Sequence, residues 1–141
     1  MDWHQQFLDG LAQPLAPFEQ LLDFRVLEYR ADTMTATVEF PGSTQLANAI
    51  GSVHGGACVA MLDQAMGVAA LFAVDFASWF PTLEIKTSFL RAAAIDDSFR
   101  VNASVLRIGG SVVFLEARLL DSQATLIATA SATARRLDKQ R

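Results

Sequence analysis

The segment Asn48 to Gly67, N-A-I-G-S-V-H-G-G-A-C-V-A-M-L-D-Q-A-M-G, holds most of the residues whose types and spacing could do chemistry. It combines a loop, the glycine pair Gly55 and Gly56, and one carboxylate, Asp63, inside what reads as a helix. Free N–H groups at a helix N-terminus carry partial positive charge and suit an oxyanion or a polarised carbonyl. Glycines there remove the side chains that would keep a substrate away. They would equally serve a loop that only has to turn tightly into the helix. At about 100° per residue, Asp63 shares its face with Gly56, Val59, Ala60, Met66, Gly67, Ala70 and Val74. These neighbours are small or apolar, without the Lys or Arg of an ordinary solvated face. A carboxylate so placed is partly desolvated, which suits a general base; the competing reading is an Asp at a rim, reaching water.

Gly55 and Asp63 are eight residues apart, which is about 12 Å along a helix. One small reacting group cannot touch both. If they act together, the Asp must come from a second subunit whose helix runs antiparallel. The small residues Gly56, Ala60, Gly67 and Ala70 would let two such helices approach closely, and the expectation is a twofold dimer with two shared sites.

Two other residues compete for a chemical role. His54 lies four residues before Cys58, and a helix N-terminus lowers a thiol pKa, so a nucleophilic cysteine is conceivable. However, Cys58 points with Met61, Ala65 and Phe72, about opposite to Asp63, which favours a buried structural thiol. His54 is either a base or a brace for the loop, and its place just before the helix favours bracing. With one cysteine and two histidines, His4 and His54, the chain has no intrachain disulfide, no thiolate cluster and no multi-histidine metal motif. No G-x-S-x-G supports serine hydrolase chemistry.

The elements that must position these groups are readable from periodicity. Trp3, Phe7, Leu8 and Leu11 fall at helical spacing, and Pro14 and Pro17 break that run. Asp23–Tyr29 is a weak strand. Thr33 to Phe40 alternates strictly and ends at Pro41-Gly42. A long helix, Val53 to Val74, has no obvious polar face and is expected to be buried nearly all round. Four further strands follow. Pro81–Arg91 sets Leu83, Ile85, Thr87 and Phe89 against Thr82, Glu84, Lys86 and Ser88. Phe99–Arg107 comes next, then a Gly109-Gly110 hairpin into Ser111–Leu120, and Thr125–Ala134 closes the set. Successive strands with short turns imply an antiparallel sheet of five to six strands wrapped around one helix, an α+β architecture.

Composition bounds the function. The 141 residues are 52% hydrophobic and 18% charged with mean hydropathy +0.29, enough for one domain with a real core. Lys and Arg number 11 against 15 Asp and Glu, which is the wrong balance for a nucleic-acid partner. The basic terminus A-R-R-L-D-K-Q-R could meet an anion locally or simply be solvated. The start, M-D-W-H-Q-Q, lacks the basic opening and apolar core of a signal peptide. The longest apolar stretch, Ala65 to Val74, is far short of the roughly 20 residues that span a bilayer. A cytoplasmic protein without a membrane partner is expected.

Together, Asn48-x-x-Gly51-x-x-His54-Gly55-Gly56 and the following Asp63 resemble the hotdog-fold thioesterases of the PaaI group and thioesterase superfamily member 2. The strand T-L-E-I-K-T-S-F-L-R (Thr82 to Arg91), the Arg107–Gly110 turn and the last two strands fit the same family. The likeness runs from roughly Leu22 to Arg135, leaving residues 1–21 as a separate helical segment before a hotdog domain at 22–141. It implies hydrolysis of acyl-coenzyme A thioesters without a metal or bound cofactor. By this resemblance the Gly55 N–H polarises the thioester carbonyl, and Asn48 and His54 shape the loop around it. Asp63 of the partner subunit serves as general base or as a nucleophile through an anhydride. Thr82 would orient the water, although Thr87 and Ser88 offer hydroxyls on the same strand. Gly56 and Met66, on the Asp63 face, are expected at the substrate. Arg91, Arg107, Gly109, Gly110 and Ser111 are expected around coenzyme A, with Arg135 and Arg136 behind them. The assembly implied is a homodimer or a dimer of dimers. Two alternatives remain: a non-catalytic acyl-CoA binding module, and a dehydratase using His54 on a C–H bond. The run Phe72 to Phe80 suits either an apolar acyl pocket or plain core.

Overall fold

In a computed structural model that describes residues 1–140, two short helices lead into the strands: α1 (Trp3–Leu11) and α2 (Pro17–Leu22). There follow β1 (Arg25–Arg30), β2 (Thr35–Pro41), the long helix α3 (Gly55–Ala73) and β3 (Ser78–Trp79). The chain then forms β4 (Thr82–Phe89), β5 (Ser98–Ile108), β6 (Val112–Leu120), β7 (Leu126–Arg135) and β8 (Leu137–Asp138). Arg141, the last residue of the basic terminus, lies outside the described residues. A six-stranded antiparallel sheet in the order β1-β2-β5-β6-β7-β4 carries α3 on its concave side, as the alternation of the sequence implies. β3 and β8 pair separately as a two-stranded ribbon.

Alternation decides the inner face. Ala36, Val38 and Phe40 of β2, Phe99, Val101, Ala103 and Val105 of β5, and Val113, Leu115, Ala117 and Leu119 of β6 are all buried against α3. Met34 does not belong to this set. It has φ 50°, so the chain turns there and β2 begins at Thr35, two residues later than the alternation suggests. The β4 pattern also fails to produce a buried face. Ile85 and Thr87 are half-buried, but Leu83 and Phe89 are 58% and 52% exposed. Two causes combine: β4 is an edge strand paired with β7 while α3 lies mainly over β5 and β6, and the register shifts between Thr82 and Glu84, which breaks the alternation at Leu83.

The helix α3 is buried on one side, not nearly all round. Cys58, Met61, Leu62, Ala65, Val68 and Ala69 face the core, whereas Gly56 is exposed and Val59, Ala60, Asp63, Gln64 and Gly67 are half-buried. Its mean hydropathy of 1.6 over an 18-residue window makes it long and apolar enough to cross a membrane by composition, further than the uninterrupted stretch suggests. Here that apolar surface is used against the sheet.

The N-terminal helices join the same core. Asp2 caps α1 by accepting from the Gln5 N–H at 3.0 Å, and Ala12 ends it at φ 56°. Pro17 opens α2 at the first helical position, where a missing N–H costs nothing. Phe7 is fully buried and packs on Phe24, Phe72 and Phe76, while Phe72 stacks on Tyr29 at 4.8 Å. Phe72 and Phe76 are therefore core, not pocket.

His4 ties α1 to β1, its Nδ1 accepting from the Val26 N–H at 3.1 Å. Burial first, then the Arg25 cation, depress its pKa below the ordinary 6.5, with Asp2 opposing. Protonation would place a hydrogen where the Val26 N–H now points. A depressed folded value means that this contact supports the fold above the unfolded pKa, and the support is lost as pH falls through the folded one. Thermal melts at about pH 7.5 and about pH 5.5 should therefore show a larger drop for wild type than for His4→Gln, whose amide oxygen accepts at any pH. Equal drops would show that the imidazole does not titrate against folding.

Candidate active site

The loop before α3 is built on Asn48. Its Oδ1 accepts from the N–H groups of Ile50 (3.1 Å) and Ser52 (3.0 Å), and its Nδ2 donates to Ser52 Oγ at 2.8 Å. Gly51 turns at φ +83°, a region that side-chain-bearing residues rarely adopt. Asn48 thus shapes the loop, and both of its amide atoms are engaged within it. The His54 N–H then donates to the Leu46 carbonyl at 2.7 Å, which pins the end of the loop.

His54 is the N-cap of α3. Its Nδ1 accepts from the Gly56 N–H at 2.8 Å, and its carbonyl accepts from Ala57 and Cys58. The ring braces the helix start and carries no proton on Nδ1, so bracing is the role its geometry serves. A Cβ at Gly56 would stand 3.0 Å from that same nitrogen, so glycine is what lets the cap close. With the next three amides engaged, the Gly55 N–H has no acceptor among the described residues. It is a free donor at the positive end of a 19-residue helix. Asn48, Gly55, Phe89 and Arg91 line an open cleft of about 370 Å³ there, and Arg91 Nη1 donates to the Leu126 carbonyl at 3.0 Å.

Asp63 belongs to a second place. Its Oδ1 accepts from Thr82 Oγ1 at 2.6 Å, within a pocket of about 140 Å³ that Met66, Gly67 and Phe80 also line. Of the three hydroxyls on this strand, Thr82 is the one bonded to Asp63. Ser88 looks out to the far face with Lys86, Glu116 and Arg118, and Thr87 Oγ1 is buried without a partner. Phe80 closes the aromatic run Phe72 to Phe80 that the sequence offered as pocket or core, whereas the small wall of Ala132 and Ala134 carries no signal, since alanine is ordinary there. Gln64 could have been noticed as a second polar residue on an apolar helix; its Nε2 donates to Glu19 Oε2 at 3.1 Å.

Cys58 is 2% exposed on the core side, and burial pushes its thiol pKa up, which fits a structural residue and not a nucleophile. The residues expected around coenzyme A divide between the two places. Arg91 stands beside Gly55. Arg107, Gly109, Gly110 and Ser111 form the β5–β6 hairpin at the opposite end of the sheet, near Thr82, where Val113 and Thr82 both pair with Ala134. Arg136 is tied down, its Nε donating to Ser78 Oγ at 3.3 Å, while Arg135 stays exposed. Among the described residues no group of three His, Cys, Asp or Glu could hold a metal ion.

The sequence model of the thioesterase superfamily matches residues 50–128, from the loop before α3 through α3 and β3 to β6 to the start of β7. The chain belongs to the thioesterase superfamily. No curated protein matches this thioesterase in sequence. Its fold is that of solved relatives. A phenylacetic acid degradation-related protein of Ralstonia eutropha superimposes with a TM-score of 0.82 at 24% identity, covering 92% of this chain and 98% of that one. The PaaI protein of Escherichia coli, from the phenylacetic acid degradation operon, gives 0.82 at 16% identity and covers 97% of each chain. A hypothetical thioesterase of Streptococcus pneumoniae, solved with coenzyme A, gives 0.73 at 17% identity, covering 84% of this chain and 91% of that one. The thioesterase thus has the expected hotdog fold, and its work as a thioester hydrolase follows from the family.

Proposed function

We propose that this thioesterase hydrolyses acyl-CoA to a free acid and coenzyme A at a site shared between two subunits. The observation that carries the reading is the division of the chemistry. A free N–H donor at Gly55 and a carboxylate–hydroxyl pair at Asp63 and Thr82 stand about 12 Å apart along one helix, in separate cavities. Neither suffices alone for hydrolysis. An antiparallel partner helix brings Asp63 of the partner subunit to Gly55, across the half-open stripe of Gly56, Ala60 and Gly67. The exposed edge of β4, with Leu83 and Phe89 on it, supports such an interface, because an unpaired strand edge is a template for another chain. Coenzyme A in the solved pneumococcal relative supports the substrate class.

In this reading the thioester carbonyl oxygen accepts the Gly55 N–H, which stabilises the oxyanion as it forms. Thr82 donates to Asp63 Oδ1 and leaves the other carboxylate oxygen to take a proton from water. The water oxygen bonds to the carbonyl carbon, the C–S bond breaks, and the departing thiolate collects the proton. Products are the acid and coenzyme A. Arg91 and the Arg107–Ser111 hairpin, which lie at opposite ends of one sheet, would meet around coenzyme A from two subunits.

The test is thiol release from a panel of acyl-CoAs by the full chain. Thr82→Val keeps the shape of the side chain and removes the donor. It should lower kcat by about 10- to 100-fold with little change in KM, as expected when only the orientation of the base is lost. No thiol release from any acyl-CoA would overturn the reading.

A further inference from the structure

A cavity of about 470 Å³ lies beside the Asp63 pocket and shares Gly67 and Phe80 with it. Its apolar walls are Leu11 at the end of α1, Leu71 of α3, and Trp79 and Leu137 of the β3–β8 ribbon. The Asp63 pocket itself, at about 140 Å³, has space for a reacting carbonyl and a water but not for a long acyl group. The neighbouring space falls within the roughly 300–1,000 Å³ of ordinary small-ligand sites. Gly67 is the doorway: a Cβ built there meets nothing within 4 Å, so the helix presents bare backbone to the open space. The one carboxylate in the lining, Glu19, already accepts from the Ala16 N–H at 3.0 Å and from Gln64 at 3.1 Å, one bond to each oxygen. Leu11, Glu19 and Leu137 all lie outside residues 50–128, so these walls come from the flanks of the chain and not from the part shared with the superfamily.

We infer that the N-terminal helices and the β3–β8 ribbon form the acyl-chain pocket of this thioesterase, which takes an uncharged, apolar acyl group past Gly67. This rests on the hydrolase reading above. It makes α1, α2 and β8, which flank the matched region, determinants of substrate choice together with Leu71 and Trp79 from within it.

Two variants narrow the pocket from different sides. Gly67→Leu fills the doorway from α3. Leu137→Trp fills it from the ribbon, away from the helix face where a partner would sit, so it separates a blocked pocket from a disturbed dimer. Full-length proteins are compared for thiol release from acetyl-CoA and octanoyl-CoA, and for binding of octanoyl-CoA and of CoA by calorimetry. The ratio of kcat/KM for octanoyl- over acetyl-CoA should fall at least about tenfold in both variants, in line with the cost of lost contacts in an apolar pocket. A ratio unchanged in Leu137→Trp overturns the assignment. If wild type releases no thiol from either substrate, the hydrolase reading falls by itself and calorimetry decides the pocket. A preference for octanoyl-CoA over CoA that shrinks in both variants upholds it, and a preference that persists removes it.

Discussion

Asp63→Asn should leave a folded protein whose thiol release from acyl-CoA is lower by about 10²- to 10⁴-fold, the usual contribution of a general base. The substitution is nearly isosteric, and the carboxamide oxygen still accepts the 2.6 Å hydrogen bond from Thr82 Oγ1, so the local geometry has no reason to change. What disappears is the capacity to take a proton from water. Asp63 is half-buried and, among the described residues, has no cation hydrogen-bonded to it, so loss of its charge should not unsettle a buried ion pair. Thermal melts should therefore coincide within a few degrees while turnover collapses. A variant that retains wild-type turnover would remove Asp63 from the chemistry altogether.

The second large effect tests whether the site is shared. Gly55→Pro deletes the free N–H and sets a ring in its place, with a Cβ 3.4 Å from Phe89, so it disables the carbonyl site by both routes. Proline is favoured at the first helical position, and His54, at φ −57° and ψ 137°, already has the extended backbone that a residue before proline requires. Alone, the variant should lose about 10²- to 10³-fold in kcat, the cost of one oxyanion donor. Mixed with Asp63→Asn by joint refolding or co-expression, it should recover activity. In the mixed dimer one site carries both defects and the other carries neither. Random pairing of equal amounts should thus return about a quarter of wild-type turnover. Activity no greater than the two residual rates would place Gly55 and Asp63 in a single-chain site, against the helix geometry.

Much of this was legible in the chain because it depends on local rules. The strand periods of β2, β5 and β6, the hairpin at Gly109-Gly110 and the glycine pair at the start of α3 are properties of consecutive residues. The rise per residue of a helix is enough to separate Gly55 from Asp63 by about 12 Å. The 100° step per residue puts Cys58 on the core side, and the place of His54 directly before the glycine pair puts it at the helix start.

The remainder depended on distant parts of the chain meeting. Strict alternation puts Thr82 on one face with Lys86 and Ser88; a register shift between Thr82 and Glu84 in the β4–β7 pairing turns Thr82 to the other side, where it meets Asp63. The β4 alternation promised a buried face that an edge position does not supply, because burial needs an element on the other side. Met34 broke its pattern through a backbone turn that its side chain does not announce. Leu11, Glu19 and Leu137 line one cavity with Trp79 although more than a hundred residues separate the first from the last; the aromatic run Phe72 to Phe80 marks Trp79, but nothing in the local sequence marks the other three. Sequence by itself determined the helices and the main strands, the candidate residue types and their spacing, since those obey short-range geometry, but not the β3–β8 ribbon, whose two short strands lie 58 to 60 residues apart. Tertiary structure decided which hydroxyl meets the carboxylate and which residues enclose the space beside it, since those follow from packing that no single stretch of chain contains.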